Sequence, residues 1–170
     1  MWATKRFLVL LIFFSISSCA IRSSSLRVQY DKRLERLERE KDKLKRATDP
    51  VGRTKTEIRI AEILLTFVSD AAKAGDQERL EQRLDEYRAA IQDAHQTMAR
   101  TGRDAHRKPG GFKDLEIALR RQVRQLEDIG QGLSFDQREP VQKAKEEAST
   151  IRDQLLKALF GEQNAPSRKG

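Results

Sequence analysis

Apolar side chains after residue 49 recur at alternating steps of three and four residues, in four stretches of similar length. This spacing places them on one face of a helix, so each stretch predicts an amphipathic α-helix. The predicted helices run from about 50 to 74, 77 to 100, 112 to 129 and 140 to 160. Their matched lengths and single apolar stripes favour an all-α fold, an antiparallel four-helix bundle at about 49–160. The clearest stripe consists of Leu80, Leu84, Tyr87, Ile91, Ala94 and Met98.

Residues with special backbone preferences mark where these helices begin and end. Asp49 is a good N-cap and Pro50 suits a first helical position, because the N–H that proline lacks would have no partner there. Gly75 predicts a left-handed helix end, and Asp76 predicts the cap of the next helix. The run 108–111, Lys-Pro-Gly-Gly, is the clearest break within the body of the chain.

Before the bundle, residues 30–48 predict a further helix of a different kind. Tyr30, Leu34, Leu37 and Leu44 form a narrow apolar seam in a highly charged segment, as in a coiled coil. Two heptads are too few to stand alone, so this helix packs on the bundle, pairs with another copy or frays. Residues 19–29 are predicted as a flexible stem and residues 161–170 as a disordered tail.

The first eighteen residues have the organisation of a secretory signal peptide. Lys5 and Arg6 supply a positive start, and Phe7–Ile16 is an uncharged, apolar run. Small residues then precede Cys19, the only cysteine of the chain. An exported protein with one cysteine cannot form an internal disulfide, so this thiol calls for another explanation.

The segment Ile16-Ser17-Ser18-Cys19 resembles the lipobox of bacterial lipoproteins, in which an aliphatic and two small residues precede the acylated cysteine. The resemblance implies that residues 1–18 are removed and that Cys19 carries a diacyl lipid, the one covalent group expected. It also implies a membrane location in the cell envelope. Ala20 favours the outer membrane, facing the periplasm, if the host has one.

Two other interpretations of the N-terminus stay open. Ser18-Cys19-Ala20 also fits cleavage by an ordinary signal peptidase, which would release a soluble protein. An uncleaved membrane anchor is the third, but Phe7–Ile21 has 15 residues, fewer than the ~17–25 that a spanning helix needs.

The charge of the chain is unevenly distributed. The formal net charge is +8, of which residues 1–48 carry +7 and residues 49–170 only +1. The near-neutral body and the absence of an aromatic-basic pattern argue against nucleic acid as a partner. Basic residues beside a lipid anchor can instead strengthen attachment to an anionic membrane.

Candidate chemistry is confined to one region, residues 95–112. His95 and His106 would share a helix face if the helix continued through Gly102, and Arg103, Arg107 and Lys108 could hold an anionic ligand. No metal-binding spacing, cofactor motif or catalytic group is recognisable, although a triad assembles in space and is not visible in sequence.

The sequence therefore predicts a non-enzymatic, lipid-anchored envelope protein that acts as a helical scaffold or protein-binding module. Its expected partners are the membrane, through Cys19, and an envelope protein or a second copy; nucleic acid is not expected. The alternative is a soluble exported bundle that binds a metal or a small anionic ligand near residues 95–112.

Overall fold

The structure is a computed structural model that describes residues 20–161, and its long elements are all α-helices. No strand occurs in this range, so the predicted all-α fold is confirmed. The predictions for residues 1–19, Cys19 included, and for residues 162–170 lie outside the described residues. The helices are α1 (Ala20–Arg46), α2 (Pro50–Ala74), α3 (Gln77–Ala99), α4 (Phe112–Gln131) and α5 (Arg138–Phe160), with a short 3-10 turn at Phe135–Gln137.

The helix ends in the first half of the bundle are those that the local residues predicted. The Asp49 carboxylate accepts a hydrogen bond from the Gly52 N–H at 2.7 Å, which caps α2. Gly75 ends α2 with a left-handed φ of 67°. Asp76 accepts from the Arg79 N–H at 3.0 Å and caps α3. Backbone groups at these ends are satisfied within a few residues, so a local pattern determines them.

The bundle consists of two antiparallel hairpins, α2 with α3 and α4 with α5. The hairpins lie against each other so that α2 is beside α4. Lys55 Nζ is 3.5 Å from Asp114 Oδ2, and the Arg121 guanidinium is 3.2 Å from Glu62 Oε1. The second contact lies seven residues after the first in both helices, so α2 and α4 run parallel. Because each hairpin is antiparallel, α3 also runs parallel to α5.

In this arrangement α3 and α4 lie on a diagonal of the bundle. The Tyr87 hydroxyl donates to Gln122 Oε1 across the core, at 3.2 Å. The connection between these helices, residues 100–111, has to cross the end of the bundle. It is therefore longer than the connections within the hairpins, residues 75–76 and 132–137. We call the end that carries residues 47–49 and 100–111 the loop end, and the opposite one the hairpin end.

α2 is the most buried helix, as its long apolar run predicted. Its inward face and those of its neighbours form one contiguous core, which includes Ile58, Ala61, Leu64, Leu65, Phe67, Val68, Leu80, Leu84, Tyr87, Ile91, Met98, Leu115, Leu119, Leu126, Val141, Ala144, Ala148 and Leu155. No helix within residues 20–161 is long and apolar enough to cross a membrane.

The register of α4 differs from the prediction. The three- and four-residue spacing of Leu115, Leu119, Val123, Leu126 and Ile129 predicts that all five face inward. Val123 and Ile129 are only half-buried, however, and Glu116 and Gln122 are buried instead. The reason is the diagonal contact: the Gln122 side chain turns into the core to accept the hydrogen bond of Tyr87. A buried hydroxyl without a partner is costly, so this polar pair fixes the rotation of α4.

The described chain divides into two compact units after Glu38, and α1 contributes to both. In the first unit Leu37 is buried and Tyr30 and Leu34 are half-buried, which agrees with the predicted seam. In the second unit, Glu40 is buried and lies 3.9 Å from the Arg59 guanidinium of α2, so the last turns of α1 pack against the bundle.

The predicted flexible stem, residues 19–29, is helical from Ala20 onward in the structure. Residues 20–46 contain neither proline nor glycine, and the three serines at 23–25 lower helix propensity by only about 0.5 kcal/mol each. Nothing in this segment therefore ends a helix before Arg46.

Candidate functional site

The connection 100–111, which holds most of the predicted site residues, is an ordered loop with its own hydrogen bonds. α3 ends at Ala99, so it does not reach His106. The Thr101 hydroxyl donates to the Met98 carbonyl at 2.6 Å. Asp104 Oδ1 accepts from the His106 N–H at 2.9 Å, which closes a tight turn. Ala105 is buried beneath that turn and holds the loop against the bundle.

The predicted anion-binding cations lie together on this loop. Arg103, Arg107 and Lys108 are all exposed. Arg107 Nε is 3.4 Å from Asp104 Oδ2, but the arginine side chain stays 84% exposed. The structure therefore brings the three cations onto one surface, where water screens the single ion pair among them.

The two histidines do not form a pair. His106 lies in the loop, and its Nδ1 is 3.0 Å from the Leu159 carbonyl oxygen at the end of α5. His95 lies on α3, half-buried in a groove between α3 and α5. The two histidines would share a helix face only if α3 continued past Gly102. The helix ends at Ala99, and Gly102 has a left-handed φ of 61°.

The groove around His95 has a volume of about 300 Å³. Burial lowers the pKa of His95, so its imidazole is neutral near pH 7. At one side of the groove, Arg88 and Gln92 both donate to the carboxylate of Glu147. The hydrogen bond from Arg88 is the main reason why the pKa of Glu147 lies below its usual value. The remaining lining residues are Gln96, Glu146, Thr150, Ile151 and Gln154.

Metal binding receives no support from the described part of the chain. Among residues 20–161, no three side chains of His, Cys, Asp or Glu lie close enough together to hold an ion. The alternative function through a metal at His95 and His106 therefore has no ligand set in this range.

Sequence reasoning missed a buried carboxylate, Glu57, on the inner face of α2. The side chain is 1% exposed, Arg53 Nε lies 3.1 Å from Oε1, and the Thr97 hydroxyl is 3.4 Å from the same oxygen. Burial is the largest influence on this group and raises its pKa, the nearby Asp93 raises it further, and Arg53 opposes both. The signal was in the spacing, since Thr54, Glu57 and Ala61 follow the same three- and four-residue steps as the apolar stripe.

Glu57 makes a testable contribution to pH dependence. Because its pKa is higher in the folded than in the unfolded chain, the folded state loses stability as pH rises above about 4.5 through the folded pKa. We expect Glu57→Gln to unfold at a higher urea concentration than the parent near pH 7, and the difference to shrink toward pH 4. The comparison is made by circular dichroism at each pH. A difference that does not vary with pH would contradict this assignment.

The chain was compared with protein families, with curated proteins and with solved structures, and nothing in the three sets matches it.

Proposed function

We propose that this chain is a lipid-anchored protein of the bacterial cell envelope, and that its helical bundle is a non-enzymatic scaffold or protein-binding module. The observation that carries the proposal is the order of elements in the first nineteen residues: the positive Lys5-Arg6, the apolar run Phe7–Ile16 and the lipobox-like Ile16-Ser17-Ser18-Cys19. A diacyl group holds a protein durably, whereas one acyl chain holds it only marginally.

The beginning of α1 supports a tethering role. The helix starts at Ala20, directly after the proposed lipid attachment site, so little irregular chain separates the two. The last turns of α1 then join the bundle through Glu40 and Arg59.

The proposed partners are an envelope protein or a second copy of this chain, bound by helix faces. The outer membrane is the proposed location in a host that has one, on the basis of Ala20. Cleavage after Ala20, which leaves a soluble module, is the competing outcome of the test below.

Replacement of the cysteine separates these outcomes. We expect the parent protein in the membrane fraction of its own host, with an intact mass that starts at Cys19 and exceeds the peptide mass by that of the lipid. Cys19→Ala is expected to lose that added mass and to keep its signal peptide or to appear in the soluble fraction. Ser18→Ala is the matched control, because alanine is also small at a lipobox position, and it is expected to behave like the parent.

Recovery of the parent as a soluble chain that starts at Ile21 would contradict the anchor. The bundle would then be a free exported module. Equal membrane attachment of the parent and Cys19→Ala, with no lipid mass on either, would contradict it as well.

A further inference from the structure

The loop end of the bundle has a more positive net charge than the described chain as a whole. We define the basic end as the connections at this end together with four residues of each helix that meets them, namely residues 43–53, 96–115 and 157–161. It contains ten Lys and Arg and three Asp and Glu, a net +7. Residues 20–161 contain thirty Lys and Arg and twenty-five Asp and Glu, a net +5. The described residues outside the basic end therefore have a net charge of −2. The positive excess is therefore a property of one end.

The three segments of the basic end lie at the same end of the bundle, and two of them are in contact. His106 joins the loop to the last turn of α5 through the Leu159 carbonyl. The carboxylates of the basic end accept hydrogen bonds from nearby backbone groups. Asp49 caps α2, and Asp104 accepts from two backbone N–H groups of its own turn. Asp114 accepts from the Gly111 N–H at 3.4 Å. These anions are held in place by the backbone, and the cations outnumber them.

Folding accounts for only part of this charge. Cations in the last turns of α1 and α5 stabilise the negative ends of those helix dipoles. Lys113 is in the first turn of α4, where a cation is unfavourable, and Arg103, Arg107 and Lys108 are exposed on the loop. Arg107 pairs with Asp104 but stays 84% exposed, so the positive field of these four residues extends into solvent.

An exposed aromatic side chain lies at the same end of the bundle as these cations. Phe160, the last residue of α5, is 57% exposed and follows Lys157 by one turn. A large apolar ring at the same end as several Lys and Arg side chains matches the boundary of a lipid bilayer, where cations contact headgroup phosphates and the ring enters the acyl region. The cations come from three segments spread over the end of a bundle, which suits a plane of charge better than a linear polyanion.

We propose that the basic end docks on an anionic phospholipid bilayer, with Arg103, Arg107, Lys108 and Lys113 at the phosphates and Phe160 at the interface. This contact does not require a lipid on Cys19, so it is separate from the proposed anchor. In an anchored protein it would be a second membrane attachment.

The first experiment measures sedimentation with vesicles and uses the chain 20–170, without the signal peptide and Cys19. This chain contains every described helix, including the compact unit Arg39–Gly170 that holds the bundle core. We expect it to sediment with vesicles of phosphatidylcholine mixed with phosphatidylglycerol, not with phosphatidylcholine alone. Binding is expected to weaken as salt is raised, because screening shortens the reach of the charges.

Two variants with the same net charge test the location of the contact. Arg103→Gln/Arg107→Gln/Lys108→Gln removes three cations of the basic end, and we expect binding to fall about fivefold for each, roughly 100-fold in total. The matched control, Lys73→Gln/Arg124→Gln/Lys143→Gln, removes three exposed cations elsewhere on the bundle. It is expected to bind like the parent. An equal loss in both variants would mean that net charge alone decides binding, and would overturn the proposal.

The second experiment tests the role of Phe160 by fluorescence. The only tryptophan of the protein is Trp2, so the chain 20–170 contains none. Phe160→Trp is expected to shift its emission to shorter wavelength when anionic vesicles are added. Phe135→Trp, at the 87% exposed phenylalanine of the hairpin end, is the matched control and is expected to show no shift.

Three further results would overturn the proposal. One is no binding to anionic vesicles by a chain whose circular dichroism shows it to be folded. Another is a fluorescence shift at residue 135 rather than 160. The third is tighter binding to RNA or to an acidic protein than to vesicles, which would assign the basic end to a macromolecular partner. None of these results bears on Cys19, so the anchor is tested independently.

Discussion

Phe67→Ala is expected to lower the free energy of unfolding by about 3–5 kcal/mol, because it removes a large side chain from the most buried helix. Phe67 is 1% exposed on α2, and the Arg83 guanidinium carbon lies 5.2 Å from its ring centroid. The substitution leaves a cavity between α2 and α3 and removes the cation–π contact as well. The total stability of such a domain is about 5–15 kcal/mol, so a large fraction is lost.

The matched control is Phe135→Ala, which makes the same change at a ring exposed to solvent. We expect this variant to stay within about 0.5 kcal/mol of the parent. Urea unfolding followed by circular dichroism measures both. Equal unfolding midpoints for the two variants would show that α2 does not form the core described above.

Gly111→Ala is expected to destabilise the protein by roughly 2–5 kcal/mol, for two reasons that both arise from the added Cβ. Gly111 has a φ of 85°, a conformation that costs an L-residue about 1–2 kcal/mol. A Cβ there would also lie 2.5 Å from Met98 Sδ and 2.8 Å from its Cε. Met98 is fully buried, so its displacement disturbs the core at the loop end and adds about 1–3 kcal/mol.

The neighbouring Gly110 provides the control. Its φ is not positive, and a Cβ there would meet no atom within 4 Å. Gly110→Ala is therefore expected to unfold at the same urea concentration as the parent. Combining Gly111→Ala with Met98→Ala removes the steric contact but not the backbone strain. The double variant should therefore lose less free energy of unfolding than the two single variants lose in total. Strict additivity would contradict the contact between them.

The sequence predicted the parts of this fold that depend on neighbouring residues. Asp49, Pro50, Gly75 and Asp76 each act on backbone groups within one turn, and the structure places the helix ends there. Apolar spacing gave the inner faces of α2, α3 and α5 for the same reason, since a helix places residues three and four apart on one side.

Features that depend on a distant partner were not predicted. Gln122 replaces Val123 in the core because Tyr87, on another helix, needs an acceptor. Glu57 is buried beside Thr97 near the end of α3, although burial raises its pKa and so disfavours its charged form. The parallel course of α2 and α4 likewise follows from the packing of complete hairpins.

The candidate site was predicted in composition but not in geometry. The sequence identified Arg103, Arg107 and Lys108 as neighbours in one loop, and the structure keeps them together. It could not show that the loop contacts the end of α5, or that the ends of α1 and α5, whose cations are remote in sequence, lie at the same end of the bundle. His95 would share a helix face with His106 only if α3 continued past Gly102, and α3 ends at Ala99.

The diagonal course of residues 100–111 has a consequence for the kinetics of folding. Each hairpin joins two helices through a short connection, so its contacts form at little cost in loop entropy. The contacts between hairpins, α2 with α4 and α3 with α5, join residues about 59 positions apart, as Glu62 and Arg121 do. Chains whose contacts are mostly local fold fast. Two preformed hairpins that dock in one final step are the route that this topology favours.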